Sequence, residues 1–216
     1  MKSVLVIGMG RFGRHLAHKM SELGNDVMVI DKDKHVVQQY LTSFADAEIG
    51  DCTNATVVES LGVENFDICF VAISDDFQSS LVVTSLLKEF GAKQVISKAK
   101  RDIQADLLKK IGADEVVYPE REMAEKLAVR CNSKNVFDYI ELTKEYSLYE
   151  IPILPQWVGQ TIGELNIRRK FKINIVAVKQ ESDLKPLPSA DYAFLPGDHM
   201  LVLGKAVDVF KLTAKT

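Results

Sequence analysis

An α/β fold is predicted: a parallel six-stranded sheet with helices on both faces, followed by a small α+β domain. Three observations on the 216-residue chain carry it. Short β-branched runs alternate with stretches of helical length over the first half, a glycine-rich turn joins the first run to the first helix, and the alternation stops after about Val136.

In order, "SVLVIG", "DVMVID", "AEIGD", "ICFVAIS", "QVISKA" and "EVVYP" read as six strands. Near-continuous apolar runs separated by helices are what a parallel sheet buried on both faces requires. The first helix places Phe12, Leu16, Met20 and Leu23 at three- and four-residue steps toward the sheet and stops at Gly24. A later helix starts at Asp102 as its N-cap and turns Ile103, Leu107 and Ile111 inward before Gly112. The apolar "SSLVVTSLLKEF" helix is either a face for subunit contact or fully covered by its own domain. "EREMAEKLAVRC" predicts one more helix, with Met123, Leu127 and Cys131 sharing a face.

The expected organisation is an N-terminal α/β domain over 1–120, a connecting helix over 121–134 and a C-terminal domain over 135–216. That last part has strand-like runs "VFDYIEL", "YSLYEIPI", "INIVAVK" and "HMLVLG", turn signals "PLP" and "LPGD", and one short helical piece, "TIGELNIRRKF". A hydrophobic content of 47% with 26% charged residues is that of an ordinary globular protein. A net charge of −3 supplies no basic excess for a phosphate backbone, which argues against nucleic acid as a partner. Cys52, Cys69 and Cys131 are dispersed and odd in number, so they suit neither a disulfide framework nor a zinc site. "VLVIGMG" is too short to span a bilayer, and a cytosolic location is expected.

Gly8-Met9-Gly10-Arg11-Phe12-Gly13 fits G-x-G-x-x-G in the right setting, after an apolar strand and at the start of an amphipathic helix. Gly8 makes the tight turn, Gly10 admits a pyrophosphate against the backbone, and Gly13 lets helix pack on strand. Asp31, ending the second strand, is placed to accept hydrogen bonds from ribose hydroxyls and to repel a 2′-phosphate, which leaves NAD, ATP and ADP open. Lys32 and Lys34 argue the other way on that phosphate, although a solvated helix start is the commoner use of lysine there. The domain is therefore Rossmann-like.

Ligands of such sheets lie beyond the carboxyl ends of the strands. The candidates there are Asp51 and Cys52 in "GDCT", Ile73 and Ser74 in "AISDD", and Lys98 after Ile96 and Ser97. Helix capping explains several of these positions equally well: Thr53 before "NATVVESL", or Asp75 and Asp76 before "FQSSLVV". No catalytic triad order, metal-spaced His/Cys cluster or Walker lysine is present, and His15, His18, His35 and His199 do not suggest a hydride-transfer acid or base.

These residues, with "VAISDD", "SKAKR" and "IGADEVVYPEREMA" followed by a small C-terminal domain, closely resemble the cytosolic RCK-domain regulatory subunits of the bacterial Ktr and Trk potassium uptake systems. The resemblance covers the whole chain and implies a non-enzymatic sensor of ATP or ADP, with NAD possible. It implies homodimers that assemble into a ring, commonly an octamer, docked beneath a membrane potassium-translocating subunit at the inner face of the membrane. It also implies three residue roles. Arg11 reaches the terminal phosphate, and Glu120 in "PERE" binds a divalent cation, Mg or Ca. Arg168, Asn174, Ile175 and Pro188 line a site for cyclic di-AMP, although Lys172 stands where many relatives carry glycine. A small NAD-dependent oxidoreductase is the alternative from another class.

Overall fold

The computed structural model describes residues 1–44, 46–132, 136–181 and 183–214. They divide into two compact units, Met1–Glu122 and Met123–Thr216. In the first, β1 (Ser3–Ile7), β2 (Asp26–Asp31), β3 (Asp46–Ile49), β4 (Ile68–Val71), β5 (Val95–Lys98) and β6 (Glu115–Val117) form a parallel sheet in the order β3-β2-β1-β4-β5-β6. Central β1 is in register with both neighbours, Val4 facing Val27 on one side and Ile68 on the other. Its residues alternate between two cores: Leu5 and Ile7 join Cys69, Val71, Val83 and Leu87, while Val4 and Val6 join Ala17, Val27 and Val29. The strand order reverses between β1 and β4, so a crevice opens beyond their carboxyl ends.

Helices α1 (Arg11–Glu22), α2 (Lys34–Gln38), α3 (Ala55–Ser60), α4 (Phe77–Glu89) and α5 (Asp102–Lys110) cover this sheet. α1 buries Gly13 and Ala17 most deeply, with Phe12 and Met20 beside them, whereas Leu23 is exposed. The small residues bring the helix axis close to the strands, and Gly24, at φ +80°, ends the helix as expected. On α5 the N-cap is Arg101 rather than Asp102, and the inward residues are Ala105 and Leu108, while Ile103 and Leu107 are exposed. Both rows of that helix carry leucine; Ala105 and Leu108 pack with the small residues Ala99 and Ala113, and Ile111 packs beside them as expected. α4 buries Ser80, Val83, Thr84 and Leu87 against its own unit, and Thr84 Oγ1 lies 2.9 Å from Ser97 Oγ in a buried hydrogen bond. A sixth helix, α6 (Pro119–Asn132), exposes Met123, Leu127 and Cys131.

The second unit is an antiparallel five-stranded sheet, β10-β9-β11-β8-β7, made of β7 (Asp138–Glu141), β8 (Ser147–Pro152), β9 (Asn174–Gln180), β10 (Asp183–Pro186) and β11 (His199–Gly204). Tyr149, Ile151, Trp157, Phe194, Met200 and Val202 form its core with Val209 and Leu212 of α9 (Ala206–Thr213). β10 and α9 go beyond the predicted elements, and "TIGELNIRRKF" forms two helices, α7 (Ile162–Leu165) and α8 (Ile167–Phe171), because Asn166 turns left-handed at φ 49° between them. Lys172 ends α8 at φ 57°, a conformation that suits glycine better.

On the face of this sheet away from that core, Glu150 receives hydrogen bonds from Lys179 Nζ (3.0 Å) and sits 2.9 Å from His199 Nδ1, with the Phe137 ring stacked on His199. Burial alone would push the Glu150 carboxyl up, but the bonds to His199 and Lys179 outweigh it and hold the group below the usual glutamate range. The unfolded chain therefore binds this proton more tightly. The stabilisation is complete above the usual glutamate range and is lost as pH falls through the lower folded value. We expect the unfolding temperature of Glu150→Gln to fall less steeply with acid than that of the parent, as thermal melts across the acid range would show; parallel pH profiles would contradict the assignment.

Candidate functional site

The turn from β1 into α1 is built by glycines whose duties differ. Gly8 sits at φ +94°, and a Cβ there would lie 3.3 Å from the Ala72 carbonyl carbon and the Ile73 nitrogen. At Gly13 a Cβ would lie 1.9 Å from the Gly8 carbonyl oxygen, so helix and turn touch without a side chain between them. Gly10 is the opposite case: it is extended, and a Cβ would meet nothing within 4 Å. Its open face is at the N-terminus of α1. There no side chain caps the helix and no acidic residue occupies the first turn. By contrast Asp33, Asn54 and Asp76 cap α2, α3 and α4 with their own oxygens. Uncapped amides at the positive end of a helix dipole, with open space before them, form a receptor for an anionic group.

Asp31 ties this turn to β2. Its Oδ2 accepts from the Met9 amide at 2.6 Å and its Oδ1 from the Asp33 amide at 2.9 Å. Each carboxylate oxygen keeps a second acceptor position, which a ribose hydroxyl would use. Lys32 beside it is exposed.

The remaining strand ends separate into binding and structural roles. Asp51 accepts from Thr53 through both the amide (3.0 Å) and Oγ1 (2.7 Å), and these bonds hold its carboxyl below the usual range. Asn54, not Thr53, caps α3. Cys52 turns its side chain into the core, and its thiol is pushed up to about 12 by burial first and by Asp51, Asp31 and Glu48 after it. Only its backbone is therefore available to a ligand. Ile73 packs against the core beneath Gly8, and Ser74 is half-buried beside it. Asp76 is the cap of α4, bonding Ser79 N at 3.1 Å, while Asp75 pairs with Lys100 Nζ at 3.0 Å.

Lys98 ends β5 with its side chain only 5% exposed, paired at 2.6 Å with Glu120 Oε1, whose own side chain is 67% exposed. The same ammonium lies 5.5 Å from the centre of the Phe12 ring, in the first turn of α1. That bond to Lys98 is the main reason the Glu120 carboxyl lies below its usual range. Arg11 is exposed at the head of α1, and its charge, with those of Lys100 and Lys98, helps to lower Asp75. The sequence reading gave Asp75 only a capping role, which Asp76 fills instead, and assigned no role to Lys100. The signal was the Lys-x-Lys spacing of "SKAKR" after a strand that ends at the crevice.

In the second unit Arg168 is exposed on α8, Asn174 and Ile175 begin β9, and Pro188 follows β10. Among the described residues no hydrogen bond or ion pair joins these four to one another. Among the described residues there is also no group of three or more His, Cys, Asp or Glu side chains placed to hold a metal, and no helix long and apolar enough to cross a membrane.

Residues 4–119 match the TrkA-N domain and residues 148–215 the TrkA-C domain. The chain is 40% identical over 208 residues to the Ktr system potassium uptake protein C of Bacillus subtilis (strain 168), covering 96% of this chain and 94% of that relative. The chain belongs to the TrkA-N/TrkA-C family of potassium uptake proteins. Among solved structures, the GsuK channel bound to NAD matches with a TM-score of 0.67 at 19% identity, over 98% of this chain and 38% of that one. GsuK bound to ADP matches with a TM-score of 0.54 at 18% identity, over 60% of this chain and 35% of that one. At such identities the likeness shows the RCK fold, and this family member spans less than half of the channel chain. Its TrkA-N match contains the whole glycine turn and Lys98 and ends one residue before Glu120.

Proposed function

We propose that this family member is a non-enzymatic, nucleotide-sensing regulatory subunit of a potassium uptake system. The observation that carries the reading is the open, uncapped turn at Gly10, with Arg11 opening α1 and the Lys98 ammonium against the Phe12 ring in its first turn. ATP or ADP, with NAD as the dinucleotide that also fits Asp31, would place its phosphates against the amides of Gly10 and the start of α1. Gly8, Phe12, Gly13 and Ile73 shape that cradle, and Asp31, Lys32, Asp51, Cys52 and Ser74 border it. Arg11 would distinguish a terminal phosphate by a charge-assisted contact.

Glu120 is one exposed carboxylate per chain. To hold Mg or Ca it needs further oxygens, which a second copy of the chain and water would supply. Arg168, Asn174, Ile175 and Pro188 are the proposed contacts for cyclic di-AMP in the C-terminal domain. The chain would act as a homodimer within an octameric ring, by family analogy, on the cytoplasmic face of a membrane potassium-translocating subunit. A nucleotide shifts such a ring only by the difference in its affinity for the ring's two shapes.

Isothermal titration of the purified protein with ATP, ADP, NADH and cyclic di-AMP tests this directly. Arg11→Ala is expected to weaken ATP by about tenfold to thirtyfold, or roughly 1.4–2 kcal/mol, while leaving ADP within about twofold. Equal losses for both nucleotides would remove Arg11 from the phosphate-counting role. NADH consumption with a small carbonyl substrate would replace the regulatory reading by an oxidoreductase.

A further inference from the structure

An ammonium that is almost wholly buried must keep an anionic partner, because leaving it unpaired costs far more than the pair contributes. Lys98 meets this condition through Glu120 Oε1 at 2.6 Å, its hydrogen-bond partner among the described residues. The pair is unequal. The Lys98 side chain is locked at 5% exposure between the end of β5 and the Phe12 ring, whereas two-thirds of the Glu120 side chain is in water. Glu120 can leave into solvent at little cost, but Lys98 cannot. Any change at this pair is therefore an exchange of the anion.

We propose that Glu120 is an internal competitor of ligand phosphate, holding Lys98 until a di- or triphosphate displaces it. This inference rests on the nucleotide reading of the crevice. The Phe12 contact places the ammonium beside the first turn of α1, whose uncapped amides are the proposed phosphate cradle. The neighbouring pair shares only the exposed carboxylate: Lys100, itself nearly half exposed, is held at 3.0 Å by Asp75, whose side chain is 99% exposed. Both crevice lysines are thus neutralised by exposed carboxylates that can swing away. A polyphosphate offers several charged oxygens and can meet Lys98 and the α1 amides together, which favours it over a single carboxylate. Because Glu120 is the second residue of α6, the exchange removes one tether of that helix's first turn, while the Arg121–Asp102 pair and the Glu122–Tyr118 bond remain.

The test is isothermal titration of the full chain with ATP and ADP in EDTA, so that no divalent cation intervenes. Glu120→Gln, which keeps the shape and removes the charge, is expected to bind both nucleotides about tenfold more tightly than the parent. In a Lys98→Met background, nucleotide binding falls at least tenfold and Glu120→Gln no longer raises it. Unchanged or weaker binding by Glu120→Gln, or a gain that persists without Lys98, would overturn the exchange. Should Lys98→Met not fold, Lys98→Gln takes its place in the same comparison. If the folded parent binds neither nucleotide, the nucleotide reading fails, which is distinct from parent binding that Glu120→Gln leaves unaltered.

Discussion

Gly13→Ala is expected to destabilise the N-terminal unit by at least about 3 kcal/mol, seen as a loss of roughly 10 °C in its unfolding temperature. Alanine in place of glycine inside a helix normally gains about 1 kcal/mol. Here the sign reverses because the added Cβ would lie 1.9 Å from the Gly8 carbonyl oxygen and 3.1 Å from the Ala72 side chain. Neither neighbour can yield easily. Gly8 is held by its own left-handed turn and by the 2.8 Å bond from its amide to the Ile30 carbonyl, and Ala72 is in the core. The strain would push α1 away from β1 and open the layer containing Val4, Val6 and Ala17. Circular dichroism melts of parent and variant measure it; an unchanged or raised melting temperature would contradict the packing role.

Gly10→Val is expected to act in the complementary way, sparing the fold and removing nucleotide. Gly10 has φ −63° and ψ −176°, which a β-branched residue adopts, and its missing Cβ faces open space. Stability should stay within about 0.5 kcal/mol of the parent. The valine methyl groups would occupy the space through which a pyrophosphate approaches the α1 amides, so affinity for ATP and ADP should fall at least about 100-fold, near 2.7 kcal/mol. Titration calorimetry at matched melting temperature separates this from unfolding. Near-parent affinity in a folded Gly10→Val protein would place the phosphates elsewhere. Together the two glycines test whether the same motif divides its labour between architecture and recognition.

The close packing at Gly8 and Gly13 was legible from the spacing of the motif, and the six parallel strands follow from β-branched runs that must be buried on both faces. Where the reading went astray, two patterns competed. On α5, Ile103 and Leu107 form as good an apolar row as Ala105 and Leu108; only the packing with Ala99 and Ala113 decides between them. β10 is an exposed edge strand with no apolar alternation, so nothing in its residues distinguishes it from a loop. Asn166 and Lys172 are left-handed without being glycine, which hid the break between α7 and α8 and the turn into β9.

The site was legible as a set of strand ends, not as a set of partners. Lys98 and Glu120 lie 22 positions apart, and they meet because β5 and β6 are parallel neighbours with Lys98 in register with Val117. Likewise Cys52 and Asp51 are adjacent in sequence, yet one faces the core and the other folds back on Thr53. Alternation along a strand end sets which neighbour is offered to a ligand, and that depends on where each strand stops.

The central claim is that the crevice reads the phosphate number of an adenine nucleotide and converts it into a change of shape. Small-angle X-ray scattering of the purified protein, saturated in turn with ATP and with ADP, tests it most directly. The account predicts two distinct scattering profiles for the parent, which become one in Gly10→Val. Superimposable profiles for the parent, with calorimetry showing both nucleotides bound, would contradict it.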